Sequence, residues 1–112
     1  MSDLTTKACV PCRGGVPTLT DSQIHELSPQ VPQWEVREVE GVKRLGRDFE
    51  FPDFVSAMNF AVDVGDLAEE EQHHPDLHVA WGKVGVEIWT HKIRGLHEND
   101  FILAAKIDRL PR

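Results

Sequence analysis

Two adjacent histidines followed by a proline are the residues of this chain best suited to chemistry. His73 and His74 stand directly before Pro75, and a third histidine, His91, follows at the end of the second strand-like segment after it. Imidazole is the side chain that can both give and take a proton near neutral pH. A chain that gathers three imidazoles around a rigid proline is therefore expected to catalyse proton transfer.

The proline fixes the direction of the two neighbouring imidazoles. Pro75 disfavours a helical conformation at His74, so a helix arriving from the N-terminal side must end there. His91 lies at the end of a strand that can return beside this corner, which would create a pocket walled by imidazoles. We expect Trp81 to supply a flat apolar side of the pocket. Such a site suits a planar heterocycle, because an aromatic ring can stack on its face.

Two other interpretations of the histidines stay open. A histidine pair after a helix is often solvated, or interacts with the helix C-terminus, where cations are favoured. With a glutamate, the three histidines could also ligate zinc. Adjacent histidines are poorly spaced for one tetrahedral site, and these three include no H-x-H or H-x-x-x-H pattern. We therefore do not expect a metal.

Carboxylates and other aromatic or imidazole side chains accompany the three histidines. Asp100 has a structural role available, because a carboxylate in the first turn of a helix can accept backbone N–H bonds. Glu69 projects near the edge of an apolar helix face and is less easily explained in that way. On composition alone Trp81 would more often lie in a core or an interface. His78 and His97 are expected to be exposed and incidental.

The composition of the chain restricts the kinds of partner that it is expected to bind. The 112 residues make one domain, and 12 basic against 19 acidic residues give a formal net charge of -7. A nucleic-acid or membrane-surface role would need a basic face, so neither is expected. No apolar run approaches the roughly 18 residues that span a bilayer, and residues 1–7 lack the apolar stretch of a secretory signal. We predict a cytoplasmic protein with a small-molecule ligand.

The two cysteines form a C-x-x-C pair at Cys9 and Cys12. The pair could be half of a zinc knuckle or a redox pair, but no second cysteine pair exists to complete a zinc site. Residues 1–19 are rich in proline and glycine and show no periodicity. We therefore predict two reduced thiols in a flexible N-terminal arm over 1–19, followed by one domain over 20–112.

Seven secondary-structure elements follow from hydrophobic periodicity, turn residues and capping residues. They are a helix over 20–28, strands over 34–39 and 42–49, a helix over 52–71, strands over 77–81 and 83–90, and a helix over 98–107. Thr20 with Gln23 forms a capping-box pattern, and Pro52 suits a first helical position. The order α-β-β-α-β-β-α predicts an α+β fold, with a four-stranded antiparallel sheet and three helices on one face.

The long helix over 52–71 is apolar over an arc far wider than one face. A helix that covers a sheet needs only one apolar face, so a second buried contact is expected. We predict that another copy of the chain supplies it, giving a homodimer or a homotetramer. The alternative is a small domain whose other helices cover the remaining apolar surface.

Taken together, these residues resemble the signature of the pterin-4a-carbinolamine dehydratase family, and most closely its bacterial members. The matching residues are Glu69-x-x-x-His73-His74-Pro75, Trp81-Gly82-Lys83-Val84, Thr90-His91 and Gly95-Leu96-His97-x-Asn99-Asp100-Phe101-Ile102. The segment Cys9-x-x-Cys12-Arg13 also recurs in bacterial relatives. The resemblance covers nearly the whole chain.

The resemblance implies a hydro-lyase, a 4a-hydroxytetrahydrobiopterin dehydratase, which forms quinonoid dihydropterin and recycles the cofactor of aromatic amino-acid hydroxylases. It implies an α+β sandwich assembled as dimers or tetramers, and no metal or organic cofactor. By resemblance, His73 and His91 are the acid and base candidates, in an order that the substrate's 4a stereochemistry decides. His74 would position the pterin and assist catalysis, and Asp100 and Glu69 would orient imidazoles or contact the edge of the site. The remaining residues expected to bind substrate are Glu69, Pro75, Trp81, Thr90, Lys92, Ile93 and Asp100.

A protein of another class stays open as the alternative. Relatives of this fold serve as dimerisation partners of transcription factors or as assembly factors, and some of them lack the His-His-Pro motif. This chain keeps the motif at His73, His74 and Pro75, which favours the dehydratase over a non-catalytic binding or assembly protein.

Overall fold

The computed structural model describes residues 3–10 and 14–112. In chain order its helices and strands are α1 (Asp21–Leu27), β1 (Glu35–Val39), β2 (Val42–Glu50), α2 (Phe54–Glu71), β3 (Asp76–Ala80), β4 (Lys83–Ile88) and α3 (Glu98–Asp108). Short 3-10 turns add Leu4–Thr6, Ser28–Gln30 and His91–Ile93. The predicted α-β-β-α-β-β-α order is confirmed. Within the described residues, no helix combines the length and the apolar character needed to cross a membrane.

The four strands form one antiparallel sheet in the order β1-β2-β4-β3. Both hairpins turn at positions with positive φ: Glu40 (52°) with Gly41 (78°), and Gly82 (74°). Such backbone angles match the right-handed twist of the strands on either side. The central pair, β2 with β4, places Leu45 opposite Ile88. The end of β4 therefore lies inside the sheet, where its position is fixed from both sides.

One face of the sheet carries the core. Val84, Val86 and Ile88 alternate along β4 and are fully buried, as their period-2 spacing predicts. The helices cover this face, and α3 is the most deeply buried of them, with Phe101 at its centre. The opposite face of the sheet carries charged side chains, including Arg44, and stays open. The predicted fold class, α+β with helices on one face of a four-stranded sheet, is confirmed.

Helix α2 positions the histidine pair. It begins at Phe54, because the side chain of Asp53 accepts the Ser56 N–H at 2.7 Å and caps the helix. Pro52, predicted as the first helical residue, therefore lies just outside the helix. At the other end Gln72 adopts a left-handed conformation with φ 56° and terminates α2. His73 follows at once, so the corner predicted at the histidine pair is present.

The segment predicted to be a flexible arm is packed against the domain over residues 3–10. Leu4 is 1% exposed and belongs to the core, and its N–H donates to Gln30 Oε1 at 2.9 Å. Lys7 pairs with Glu98 of α3 at 3.0 Å. A single buried leucine and scattered long-range bonds produce no periodic pattern, so this packing could not be predicted from sequence periodicity. Cys12 lies outside the described residues.

Candidate active site

A cavity of about 520 Å³ lies where the end of α2 meets the end of β4. The residues that line it come from the N-terminal segment, the corner after α2 and the segment that follows β4. They are Val10, Gln72, His73, His74, Trp89, Thr90, His91 and Lys92. All three histidines predicted from the sequence therefore border one cavity.

A buried carboxylate holds the first of these histidines. Asp100 is fully buried, and its Oδ1 lies 2.6 Å from His73 Nε2. Its second oxygen, Oδ2, accepts the Thr90 hydroxyl at 2.9 Å and the His97 N–H at 2.8 Å. Asp100 was expected to orient an imidazole or to cap its own helix, and it does both. It ties together the corner after α2, the end of β4 and the start of α3.

The contacts of Asp100 also decide which nitrogen of His73 is available. A carboxylate can only accept hydrogen bonds, so the donor in the contact with Asp100 Oδ1 is the Nε2–H of His73. Asp100 does not engage the Nδ1 atom of His73. The His73 side chain is 11% exposed, so the imidazole is held firmly and only a small part of it meets solvent.

The second histidine is much more open. His74 Nε2 contacts Glu69 Oε2, and the two side chains are 58% and 73% exposed. An exposed ion pair of this kind contributes little to stability, about 0–1 kcal/mol. Glu69 lies in the last turn of α2. Its carboxylate contacts an imidazole at the rim of the cavity, as expected.

The third histidine is held by an aromatic ring. His91 stacks on Trp89, with ring centroids 4.2 Å apart and an interplanar angle of 14°. The loop that follows is closed by two backbone bonds between Thr90 and Gly95, at 2.9 Å and 3.4 Å. Arg94 turns the chain there with φ 54°. Within the part of the chain that the structure describes, His91 has no carboxylate partner, unlike His73 and His74.

Five predicted site residues are not among those that line the cavity, and two of them, Glu69 and Asp100, instead contact lining histidines. Trp81 lies at the β3–β4 turn and is 74% exposed, and Trp89 supplies the aromatic side in its place. Pro75 and Ile93 are neighbours of lining residues but are not among them. The hairpin explains the position of Trp81, because the turn at Gly82 directs the preceding residue away from the sheet.

His97 was expected to be exposed and incidental, but it organises the start of α3. Its Nδ1 accepts the Asn99 N–H at 3.0 Å, and its own N–H donates to Asp100. Together these bonds form a capping box with histidine in the capping position. The cap holds Asp100 in place beneath His73. Among the described residues, no group of three His, Cys, Asp or Glu is arranged to hold a metal ion.

Sequence reasoning missed the part that the N-terminal segment plays in the site. The Val10 N–H donates to Asn99 Oδ1 at 3.0 Å, and Asn99 Nδ2 donates to the Val10 carbonyl at 2.7 Å. Asn99 is 2% exposed. Because both backbone groups of Val10 are bonded to one buried amide, the segment is fixed where Val10 borders the cavity.

Cys9 is held beside Val10 by Glu71. The Cys9 N–H donates to Glu71 Oε1 at 3.0 Å, and Lys106 Nζ donates to Glu71 Oε2 at 2.7 Å. Burial and the nearby Glu71 carboxylate raise the pKa of the Cys9 thiol to about 12. The thiol therefore stays protonated near neutral pH, which suits the predicted reduced state and does not favour a metal ligand or a redox nucleophile.

The chain is similar to proteins of one known family. The family model of pterin 4 alpha carbinolamine dehydratase matches residues 17–110. A Methylococcus capsulatus protein, provisionally named a pterin-4-alpha-carbinolamine dehydratase, is 50% identical over 96% of this chain and 92% of its own length. A Rubrobacter xylanophilus protein with the same provisional name is 48% identical over 98% of this chain and 100% of its own length.

Two solved structures share the fold. A transcriptional coactivator/pterin dehydratase from Brucella melitensis has a TM-score of 0.72 and 32% identity, and the match covers 81% of this chain and 95% of that one. A pterin dehydratase-like protein, described as a RuBisCO assembly factor of the alpha-carboxysome, has a TM-score of 0.58 and 21% identity. That match covers 68% of this chain and 86% of the other, and it supports the fold alone.

Proposed function

This chain belongs to the pterin 4 alpha carbinolamine dehydratase family, and we propose that it dehydrates 4a-hydroxytetrahydrobiopterin to quinonoid dihydropterin. The observation that carries the proposal is the meeting of His73, His74 and His91 around one cavity. Acid and base groups must reach the same substrate at once, and residues on a common cavity wall satisfy that condition.

The reaction needs one proton delivered and one removed. The C4a–O bond breaks as the leaving hydroxyl takes a proton and departs as water. The N5–H bond breaks at the same time, and its electron pair forms the C4a–N5 double bond. His73 and His91 supply the acid and the base, in an order set by the face that carries the hydroxyl. Proton transfer of this kind contributes about 10²- to 10⁴-fold in rate.

The other residues of the site hold the groups that react. Asp100 keeps His73 oriented through the 2.6 Å contact, and Glu69 does the same for His74 at the rim. We propose that His74, Thr90 and Lys92, which line the cavity, contact the pterin. Pro75 and Ile93 would contribute only through their backbone, and Trp81 only where a second copy or a long substrate reaches the hairpin turn. The proposal requires no metal or organic cofactor.

The product would be reduced again and returned to an aromatic amino-acid hydroxylase, which makes such an enzyme the functional partner of this chain. A cytoplasmic location, expected from the sequence, goes with that role. We also propose a homodimer or a homotetramer formed through α2. Large apolar side chains on its outer surface are 41–68% exposed. They are Phe54, Val55, Met58 and Val62.

The same exposed surface supports a second candidate function. A helix with large apolar side chains facing solvent could bind another protein, as in a non-catalytic dimerisation partner or assembly factor. One structural relative is described as a RuBisCO assembly factor. This function would not require the buried contact of Asp100 with His73, which is why we place it second.

A stopped-flow assay separates the two functions. Freshly prepared 4a-hydroxytetrahydropterin is mixed with buffer, with wild-type protein, or with the His73→Ala/His91→Ala variant, and its ultraviolet decay is followed. We expect wild type to accelerate the decay and the variant to lose nearly all of that acceleration. No acceleration by well-folded wild type would refute the dehydratase and favour the binding protein.

A further inference from the structure

The indole of Trp89 lies between two other groups. The guanidinium of Arg44 lies over the Trp89 ring, with its central carbon 3.9 Å from the centroid. His91 stacks at 4.2 Å. Glu87 lies in β4, Trp89 follows the end of that strand, and His91 begins the 3-10 turn after it. Arg44 Nη1 donates to Glu87 Oε1 at 3.1 Å, so the guanidinium occupies the Glu87 side of the indole and His91 occupies the other.

The His91 imidazole is restrained differently from the other two imidazoles. His73 and His74 are each held by a carboxylate, whereas His91 has only the ring stack within the described residues. An exposed imidazole at the start of a one-turn loop needs some restraint to keep its plane. Trp89 can provide the restraint only if the indole itself cannot rotate, and the guanidinium behind it prevents rotation.

The guanidinium is in turn fixed by the open face of the sheet. The Arg44 side chain is 15% exposed, and its Glu87 partner also accepts Arg37 Nη1 of β1 at 3.4 Å. The Nε of Arg44 is buried without a hydrogen-bond partner among the described residues. Arg44 therefore keeps its place over the indole although one of its donors is left unpaired. An unpaired buried donor costs free energy, and we expect the cation–π contact with the indole to offset this cost.

We infer that Arg44 is a positioning residue for the proposed reaction, which acts through Trp89 to fix the plane of the His91 imidazole. The inference rests on the proposed function for its consequence in catalysis, but the contact itself can be tested alone. It also changes the part that Trp89 plays. With both faces of its indole covered, Trp89 presents an edge to the cavity, so it orients a catalytic imidazole and does not stack on the ligand.

The test combines nuclear magnetic resonance with kinetics. A stacked indole shifts the ring C–H resonances of His91 upfield, and the His91→Gln variant assigns them by their loss. In Arg44→Met we expect this shift to shrink. We also expect kcat to fall by about tenfold while KM changes little, because the imidazole is misplaced and the pterin contacts are kept. Arg44→Lys keeps the charge without the planar group and should recover only part of both effects.

Arg47 provides a matched control. It lies on the same strand, and its guanidinium lies over Phe49 at 4.3 Å, on the core side of the sheet. Arg47→Met removes a comparable cation–π contact and should leave the His91 resonances and kcat/KM unchanged at a temperature where the variant is folded. If Arg44→Met left the His91 resonances in place, the inference would be overturned. Because the resonances are read without substrate, a wild type with no dehydratase activity would refute the proposed function alone.

Discussion

The carboxylate of Asp100 lies 2.6 Å from the imidazole of His73, although the two residues are 27 positions apart in the chain. The contact joins the start of α3 to the corner that ends α2. It is made inside the protein, with Asp100 fully buried. Two predictions concern this contact and its surroundings directly.

Asp100→Asn is expected to lower kcat by about 10²-fold with little change in KM. The amide is similar in size, but its nitrogen or its weaker oxygen replaces the carboxylate beside His73 Nε2, so the imidazole loses its defined tautomer. Thr90→Val removes one donor to Asp100 and leaves the His73 contact in place, so it should keep kcat near the wild-type value and raise KM, because Thr90 lines the cavity. The measurements are steady-state kinetics and thermal unfolding. An Asp100→Asn variant with wild-type kcat would show that the contact has no part in the reaction.

Asn99→Ala is expected to release the segment around Val10 from the cavity. Both backbone bonds of Val10 are lost, so we predict a severalfold rise in KM and a loss of about 1–2 kcal/mol in the free energy of unfolding. Val10→Ala keeps these backbone bonds and removes only the side chain that borders the cavity. If Asn99→Ala changed stability but left KM at the wild-type value, the N-terminal segment would be structural and no part of the site.

The Glu71 carboxyl is expected to contribute to stability in a pH-dependent way. Burial acts to raise the pKa of its carboxyl, but the Cys9 N–H and Lys106 outweigh burial and hold the pKa below its usual value of 4.5. A depressed pKa stabilises the fold above the unfolded pKa, and this contribution is lost as the pH falls through the folded pKa. Glu71→Gln should therefore cost about 1–3 kcal/mol at neutral pH. The difference from wild type should shrink in acid.

Urea unfolding at neutral pH and at a pH below 4.5 measures this difference. Glu70→Gln is the control, because Glu70 is the neighbouring glutamate and is exposed. A difference between Glu71→Gln and wild type that stayed the same at both pH values would mean that the ion pair with Lys106 does not contribute in the way its geometry indicates.

Met58→Glu with Val62→Glu is expected to dissociate the proposed oligomer. Both side chains lie on the exposed surface of α2, at 41% and 56% exposure, and burying two carboxylates in an interface is strongly unfavourable. Sedimentation velocity would report a smaller species. Val36→Glu with Val39→Glu, both at 43% exposure on β1, adds the same two charges away from α2 as a control. A wild type that sediments as a monomer would exclude the oligomer.

Much of the site could be predicted because it depends on local patterns. The period-2 alternation of Val84, Val86 and Ile88 placed the core face of β4 correctly, and Pro75 placed the end of α2 before it. These features depend on residues that are close in sequence, so one amino-acid sequence is enough to predict them.

The parts that were missed depend on long-range geometry. Asn99 bonds Val10, which is 89 positions away in the chain. No local sequence pattern predicts a side chain that bonds a distant backbone group. The sequence analysis named Trp81 as an aromatic side of the pocket and did not name Trp89, for a related reason. Both are tryptophans near the histidines in sequence, but the turn at Gly82 carries Trp81 outward, while cross-strand packing against Arg44 holds Trp89 beside the cavity.

If His73 and His91 carry out one dehydration together, the dehydration rates of four variants will show it. They are His73→Ala, His91→Ala, the double variant, and His78→Ala, whose imidazole is exposed on β3 outside the cavity. We predict a loss of about 10²-fold or more for each single variant, and a double variant that loses less than the product of the two. His78→Ala should match wild type. A His73→Ala or His91→Ala variant that kept the wild-type rate would show that the two imidazoles do not carry out the dehydration together.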